Sequence, residues 1–366
     1  MTTDALKIVH IISSLKRGGR ERQLANIYKY SEKPKYQIKI IIFNDSTYNY
    51  IEEYNIQSDI VKIHSINFFC RLFELYRIIK TYSPDVIWAW GNMEAVYALL
   101  ISTLTRITFI NGAIRHGIRL NKPSHNFRML VLHLCKHIVA NSYAGLHANK
   151  LKRGYVLYNG IDDKFINKKN SSLKKKKLKE TAEYPLNVPI LVSVANLVPY
   201  KDYYTVLSAL KKIKDNSINF FYFILGDGPL KKETEDTITK YGLRNDVKLI
   251  GNVQNVDQYL RISDLFIHSS KGEGCSNAVL EAMAAGLPII ASNTGGTSEI
   301  LSKKNGFLFK YKDDEELFRL IKDSLLNINS LKQMGHSSIQ MVEEKFTINC
   351  MMTKYYRIIE KITQVL

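Results

Sequence analysis

Residues 269–291 read SSKGEGCSNAVLEAMAAGLPIIA. They follow an apolar run at 264–268 that has the character of a buried parallel strand. A glycine-containing turn comes next, and a helix then begins at Ser276 or Asn277, both favoured N-cap types. The glycine and proline within 286–288 end that helix, and a second buried strand follows. This order of elements predicts a doubly wound parallel sheet.

Glu281 is the one charged residue of the predicted helix. A helix that is apolar all round is normally buried, and a buried carboxylate is costly without a hydrogen-bonding partner. Two interpretations stay open. Glu281 either caps a backbone amide or pairs with an arginine, or it accepts hydrogen bonds from a ligand hydroxyl at the mouth of the sheet.

Glu273 lies eight residues earlier, in the turn before the helix. Amide hydrogens and the helix dipole favour an anion at such a place. The amides there belong to Gly274, Cys275, Ser276 and Asn277. One carboxylate beside an anion site and another within the helix suit a ligand with phosphate and hydroxyl groups, such as a sugar nucleotide.

The stretch resembles, nearly residue for residue, the signature of the family 4 retaining glycosyltransferases. The residues that carry the resemblance are Ser270, Glu273, Gly274, Glu281, Ala282, Gly286 and Pro288. Two glutamates at this spacing are weak evidence alone, but the full set of matching residues is specific to the family's signature. The resemblance implies an α/β protein of the GT-B fold, with two Rossmann-like doubly wound domains facing a central cleft.

Composition agrees with a two-domain globular protein. The chain has 366 residues and 45% hydrophobic residues. No apolar stretch is long enough to span a bilayer and the first residues lack a signal-peptide core, so we expect a cytoplasmic protein. The four cysteines are scattered, which argues against a zinc site or a disulfide framework.

The net charge of +18 has several explanations. A basic surface suits nucleic acid or an anionic membrane leaflet, and many Lys, Asn and Ile residues also reflect an AT-rich genome. No zinc-finger or RNA-binding signature accompanies the charge. We therefore expect no specific nucleic acid, and favour peripheral attachment to the inner face of the cell membrane.

The first half alternates strands and helices, which predicts βαβ units. Gly18 and Gly19 follow the first strand and let a ligand approach the backbone closely, although a plain turn is the alternative. With Glu21 they resemble the family's Gly-Gly-x-Glu loop, which reaches toward the donor diphosphate and the sugar. His10 lies mid-strand, and we expect a core histidine.

The acceptor side is predicted from residues after two later strands. Trp90 lies at a strand's carboxyl end, where such sheets bind ligands, and either lines an acceptor pocket or packs in the core. Arg115, His116 and Arg119 follow another strand. The resemblance implies a ligand-facing role for His116; a solvated basic loop is the alternative.

The second half carries the donor-side pattern. Lys201 matches the lysine of the family's Gly-Arg-Leu-x-x-x-Lys-Gly motif, which holds the donor diphosphate, but Asn196 replaces the arginine. The alternative for Lys201 is an ordinary surface lysine at a helix start. Val253 follows a strand and a glycine at the place where relatives cover the nucleobase.

Composition and resemblance together predict four segments: an N-terminal domain at 1–165, a basic linker at 166–185, a C-terminal donor domain at 186–345 and a helix at 346–366 that returns to the first domain. The linker carries the lysine run at 174–177, which is typical of a solvated segment.

The predicted reaction is transfer of a sugar, with retention, from a nucleotide diphosphate sugar to a glycan or polyprenyl-linked acceptor. Glu273, His116 and Lys201 are the predicted catalytic residues, and Glu281 would bind the ribose. No metal and no cofactor are expected, since amides and cations stabilise the leaving diphosphate. A sugar-nucleotide epimerase of the same fold and a non-catalytic basic binding protein remain alternatives; the glycine fingerprint of a dehydrogenase is missing.

Overall fold

The structure is a computed structural model and describes residues 5–16, 18–44, 50–118, 125–166 and 188–364. They form two compact units, the first drawn from Met1–Gly160 and Ile348–Leu366 and the second from Ile161–Thr347. None of the helices formed by these residues has the length and apolar character needed to cross a bilayer.

A parallel sheet forms the centre of the first unit. Its strands are β1 Leu6–Ile12, β2 Tyr36–Ile42, β3 Ile60–Lys62, β4 Val86–Ala89, β5 Thr108–Ile114, β6 His137–Ala140 and β7 Tyr155–Val156. Their order across the sheet is β3-β2-β1-β4-β5-β6-β7. The inner strands are nearly continuous apolar runs because helices cover both faces.

Helices connect these strands: α1 Gly19–Tyr30, α2 Tyr50–Glu53, α3 Phe68–Tyr82, α4 Asn92–Thr105, α5 His125–Leu134 and α6 Tyr143–Ala148. One face of the sheet packs against α1, through residues such as Leu24 and Ile27. The opposite face packs against α3, α4 and α5, through Ile79, Ile101 and Leu132.

The second unit repeats this plan. Its strands are β8 Ile190–Val194, β9 Phe221–Leu225, β10 Val247–Gly251, β11 Leu265–His268, β12 Ile289–Ser292 and β13 Gly306–Phe309. They form a parallel sheet in the order β10-β9-β8-β11-β12-β13. The two doubly wound sheets confirm the predicted fold class; the central cleft stays a prediction.

The helices after β8 are α7 Tyr203–Asp215, α8 Lys231–Lys240, α9 Val256–Ile262, α10 Asn277–Ala284, α11 Thr297–Ile300, α12 Asp314–Leu326, α13 Ile328–Lys345 and α14 Ile348–Thr363. The last of these, α14, belongs to the first unit and packs beside α1. Its Tyr355 and Ile359 are fully buried in the core that contains Leu24.

The unit boundary differs from the predicted one at 165. Ile161 forms a β-bridge with Thr347, and its amide donates to the carbonyl of Phe346 over 2.8 Å. These contacts attach the residues from Ile161 onward to the second unit, and the terminal helix begins at Ile348 rather than 346. Of the predicted linker 166–185, only Ile166 belongs to the described residues.

Candidate active site

The candidate site lies at the carboxyl edge of the second sheet, where two neighbouring strands end. β8 and β11 pair side by side, so the loops that follow them meet. The loop after β8 carries Lys201 and the loop after β11 carries Glu273. The amide of Lys271 donates to the carbonyl of Tyr200 over 2.8 Å and ties the two loops together. Parallel sheets bind ligands at this edge.

Lys201 and Glu273 form an ion pair in this place. Lys201 Nζ donates to Glu273 Oε1. Lys201 is 7% exposed, whereas the side chain of Glu273 keeps 23% of its surface open. The structure therefore rules out the alternative of an ordinary surface lysine, and it brings together two of the three predicted catalytic residues.

His268 contacts the other oxygen of the same carboxylate. It is the last residue of β11 and is 2% exposed, and its Nε2 lies 3.2 Å from Glu273 Oε2. Its ring stacks on Phe266 with an interplanar angle of 14°. Glu273 is thus flanked by a cation on one side and an imidazole on the other.

The charges of this cluster follow from burial and contact. Burial opposes ionisation of Glu273, but the Lys201 ammonium and the His268 contact outweigh it and hold the pKa of Glu273 well below its ordinary value. Burial, with the Lys201 charge, lowers the pKa of His268. At neutral pH the carboxyl of Glu273 is therefore ionised and the imidazole of His268 is neutral.

The glycine pair Gly295-Gly296 supports the backbone of Glu273. The amide of Gly296 donates to the carbonyl of Glu273 over 2.8 Å. Gly295 has a φ of +57°, and a Cβ there would lie 2.1 Å from that carbonyl oxygen. This position requires glycine both for its backbone conformation and for its close approach.

Hydroxyl groups hold the start of the turn. Ser292 Oγ accepts from the Ser270 amide over 2.9 Å and donates to the Ser270 carbonyl over 2.7 Å. Thr294 Oγ1 donates to the same carbonyl over 2.6 Å. The turn before α10 is therefore anchored to the segment that follows β12.

Helix α10 places the other predicted donor-binding residues. Ser276 occupies the N-cap position and the helix begins at Asn277, as predicted, although the Ser276 side chain makes no cap hydrogen bond. Gly274, Cys275 and Ser276 are buried. Glu281, 6% exposed, lies one turn after Asn277, on the same side of the helix.

Asn196 and Val253 lie at the same sheet edge. Asn196 is exposed in the loop after β8, and Val253 is half-buried after β10. Gly226, with a φ of +142°, would place a Cβ 2.1 Å from the carbonyl of Ala195, so the loops after β8 and β9 are in close contact. The structure thus gathers the predicted donor-binding residues of the second unit along one edge.

The glycine loop of the first unit opens α1. Gly18 is the N-cap residue and the helix begins at Gly19. Arg20 pairs with Glu21 at 2.7 Å and donates to the Trp90 carbonyl and to Ser13 Oγ. This arginine joins the loop to the ends of β1 and β4.

Trp90 is a core residue, which is the alternative that the sequence left open. It is 1% exposed, and its Nε1 donates to His10 Nδ1 over 2.9 Å. The guanidinium of Arg115 lies 4.4 Å from its ring centre. The indole therefore has almost no surface open to a ligand.

The other residues predicted for the acceptor side, and His10, lie in different surroundings. His116 is exposed at the end of the segment that follows β5. Arg119 lies outside the described residues. His10 is fully buried and burial lowers its pKa to about 3, which confirms the predicted core histidine.

The described residues contain no group of three His, Cys, Asp or Glu side chains placed to hold a metal ion. The contacts that surround Glu273 come instead from lysine, histidine and backbone amides.

Comparison with known proteins finds a family similarity in the second half of the chain. Residues 174–341 match the family model for glycosyl transferases group 1. Over that span, which is less than half of the chain, the protein is similar to the glycosyl transferases group 1. Together with its relatives, this makes the protein a glycosyltransferase.

Two relatives and one solved structure resemble the glycosyltransferase over most of its length. The O-antigen biosynthesis glycosyltransferase WclY of Escherichia coli is 25% identical over 363 residues, covering 96% of this chain and 97% of WclY. An E. coli UDP-Gal:alpha-D-GlcNAc-diphosphoundecaprenol alpha-1,3-galactosyltransferase is 25% identical over 283 residues, covering 71% of this chain and 72% of that enzyme. The crystal structure of Anabaena HepE in complex with UDP has a TM-score of 0.85 at 21% identity, covering 97% of this chain and 100% of that chain, and supports the fold.

Sequence reasoning about this glycosyltransferase missed His268 as a site residue. It was assigned only to the apolar run of a strand, and nothing in the local pattern predicts its contact with Glu273. Gly295 and Gly296 are a second example, because only the structure shows that both lie against the carbonyl of Glu273.

Proposed function

We propose that this glycosyltransferase moves a sugar, with retention at the anomeric carbon, from a nucleotide diphosphate sugar to a saccharide or lipid-linked saccharide in bacterial surface polysaccharide synthesis. The observation that carries the proposal is the Lys201–Glu273 pair at the carboxyl edge of the second sheet. It combines a cation for a diphosphate with a carboxylate for sugar hydroxyls.

In the proposed reaction, negative charge develops on the leaving diphosphate. An ammonium has three donors, so Lys201 can hold Glu273 with one and a phosphate oxygen with another. The amides at the start of α10 and the helix dipole add favourable interactions with an anion. Gly18 and Gly19 would approach the diphosphate from the loop at the start of α1.

The two carboxylates have separate roles in this proposal. Glu273, ionised through its contacts with Lys201 and His268, would accept hydrogen bonds from hydroxyls of the transferred sugar. Glu281 would bind the ribose. His116 and Arg115 in the first unit would contact the reacting sugar or the acceptor, and amides and cations would take the place of a metal.

The relatives support the choice of substrates. HepE was crystallised with UDP, and the galactosyltransferase is named for a UDP-sugar donor and a diphosphoundecaprenol-linked acceptor. WclY is named for O-antigen biosynthesis. A lipid-linked acceptor and a net charge of +18 favour work at the inner face of the cell membrane.

Donor binding tests the proposed role of Lys201. A thermal-shift screen of UDP, GDP, ADP and TDP sugars identifies the nucleotide, since a ligand that binds the folded state raises its stability. Lys201→Met should weaken the binding of that nucleotide by about 10- to 100-fold. A hydrogen bond to a charged group contributes about 1.5–3 kcal/mol, and its loss corresponds to this change in affinity. Lys271→Met, an exposed lysine of the neighbouring turn, is the matched control and should bind normally.

If Lys201→Met binds the nucleotide as tightly as the wild type does, Lys201 does not bind a donor phosphate. Incubating the enzyme with the identified donor and a glycan acceptor then tests the reaction. A product with the sugar attached in the donor's anomeric configuration supports the proposal. Release of an epimerised sugar with no transfer would favour the epimerase instead.

A further inference from the structure

A groove of about 970 Å³ runs between α3 and the edge strand β3 of the first unit. None of its lining residues is a predicted glycosyl-transfer residue, and none of the roles above uses it. The residues of the groove that matter here are Phe69, Phe73, Lys39, Lys62, Arg77 and Glu74, and we call it the α3 groove.

The rim of the α3 groove is unusually apolar for an exposed surface. Phe69 is 75% exposed and Phe73 is 63% exposed, and they lie four residues apart on the same side of the helix. Ile66, just before the helix, is 89% exposed. The core-facing side of α3 is formed by other residues, including Leu75 and Ile79. Phe69 contacts the ring of Phe68 edge-on, and most of its own surface stays open.

The charges of the α3 groove are mainly positive. Lys39, Lys62 and Arg77 line it, together with a single carboxylate, Glu74. That carboxylate accepts hydrogen bonds from the amides of His64 and Ser65, at 3.3 and 3.1 Å. The lining of the groove therefore has three cations and one carboxylate.

The exposed apolar side chains of the molecule are concentrated on the helices of this sheet face. Among the described residues, ten of the 14 large apolar side chains that are strongly exposed lie between Ile66 and Tyr143. They belong mostly to α3, α4 and α5, which are neighbours in one layer. Exposed apolar surface of this kind marks an interaction face.

We propose that the α3 groove docks the protein on an anionic lipid surface. Phe69, Phe73 and Ile66 enter the headgroup region, and Lys39, Lys62 and Arg77 bind lipid phosphates, the combination by which interfacial helices attach to membranes. This inference rests on the membrane association included in the proposed function and names the surface responsible.

Charge complementarity favours lipid over a second copy of the chain. In a symmetric dimer the same patch faces itself, so the three cations would oppose their equivalents. Any other face of the partner copy belongs to a chain of net charge +18. An anionic bilayer offers both the opposite charge and an apolar layer at the depth that the phenylalanines reach.

Flotation of the full-length protein with vesicles tests the inference. We expect binding to phosphatidylcholine vesicles that contain phosphatidylglycerol, with little binding to phosphatidylcholine alone and a marked decrease at high salt. Phe69→Ser with Phe73→Ser should lower the partition coefficient at least tenfold. Lys62→Glu with Arg77→Glu should do the same.

Matched controls come from the second unit. Tyr204→Ser with Leu326→Ser removes side chains of similar exposure, and Lys303→Glu with Lys304→Glu reverses two exposed lysines; both should bind vesicles within twofold of the wild type. No binding of the wild type to anionic vesicles, or an equal loss in the control variants, would overturn the inference. A third result would also overturn it: light scattering shows that the wild type is a dimer and that Phe69→Ser with Phe73→Ser is a monomer, while the variant binds vesicles as the wild type does.

Nucleotide affinity, measured on the same samples, separates this inference from the proposed function. Groove variants that bind the donor nucleotide normally but fail to bind vesicles support the docking surface. Wild-type protein that binds the nucleotide but no vesicles contradicts the docking surface alone. Vesicle binding without nucleotide binding contradicts the proposed function alone.

Discussion

The carboxylate of Glu273 is held by side chains, and its carbonyl is held by glycines. Lys201 donates to one oxygen of the side chain and His268 Nε2 lies 3.2 Å from the other, while Gly296 donates to the main-chain oxygen. The position of Glu273 therefore depends on the loop after β8, the end of β11 and the loop after β12. A shift in any of them would move Glu273 relative to a bound sugar.

Gly295→Ala should damage this arrangement. The new Cβ would lie 2.1 Å from the carbonyl of Glu273, in addition to the strain of a φ of +57°. Gly242→Ala is the matched control, because its φ is +68° and no atom lies within 4 Å of the added Cβ. We expect about 1–2 kcal/mol of destabilisation in the control, from backbone strain alone, and a larger loss in Gly295→Ala.

Chemical denaturation and nucleotide titration measure the two effects. Gly295→Ala should also bind the donor more weakly, whereas Gly242→Ala should bind it as the wild type does. If both variants lose the same stability and both bind the donor nucleotide normally, the contact of Gly295 with the carbonyl of Glu273 is not needed to position Glu273.

His10 makes the stability of the first unit dependent on pH. Trp90 donates to Nδ1, so Nε2 carries the proton and donates to Tyr355 Oη over 3.1 Å. Burial lowers the pKa of His10 from 6.5 to about 3. The unfolded chain binds a proton near pH 6.5 that the folded chain does not, so stability is complete above pH 6.5 and is lost as the pH falls toward 3.

We therefore expect the free energy of unfolding to fall by up to about 1.4 kcal/mol per pH unit below pH 6.5 from His10 alone. His10→Gln keeps an acceptor for Trp90 and a donor for Tyr355 but does not titrate. Urea denaturation between pH 7 and 5 should show a shallower slope for this variant. Identical slopes would mean that folding does not lower the pKa of His10.

At the level of elements, α10 follows its local sequence closely. Its start at Asn277 and its end before Gly286, which has a φ of +82°, were both predicted from the N-cap and glycine signals. Helix α14 is different, because its amphipathic pattern predicts a helix but not the partner that it covers. That partner is α1, more than three hundred residues earlier in the chain.

Ile359→Ala should destabilise the first unit rather than the second. Ile359 is fully buried in the core shared with α1, and truncating such a side chain typically costs about 2–5 kcal/mol. Arg357→Ala, on the exposed side of the same helix, is the control and should cost little.

Hydrogen exchange localises the effect of Ile359→Ala. Amides of β1 and β4 should lose protection, while those of β8 and β11 should keep it. Equal loss of protection in both sheets would show that the two units unfold together. Packing of α14 would then not stabilise the first unit in particular.

At the scale of the whole molecule, both parallel sheets could be predicted from alternating apolar runs and helical patterns. The residues predicted for the donor side lie in loops at strand ends, and parallel strands bring such ends to one edge, so their proximity follows from the sheet while their role stays a prediction. The second unit begins at Ile161, a few residues before the predicted division at 165, and Ile161 pairs with Thr347 and donates to the carbonyl of Phe346. Such a pairing between distant residues has no local signal.

The sequence by itself determined the strands, the turn before α10 and the start and end of that helix, because these depend on side-chain type and on spacing within short segments. Lys201, Glu273 and Glu281 were singled out from the sequence by their place in the family pattern, and their roles stay predictions. Only the tertiary structure decided that Lys201 pairs with Glu273, 72 residues away, that His268 contacts the same carboxylate, and that Trp90 lies in the core. These contacts depend on which strands become neighbours in a sheet. That choice is made by the packing of the whole unit, so a local pattern does not contain it.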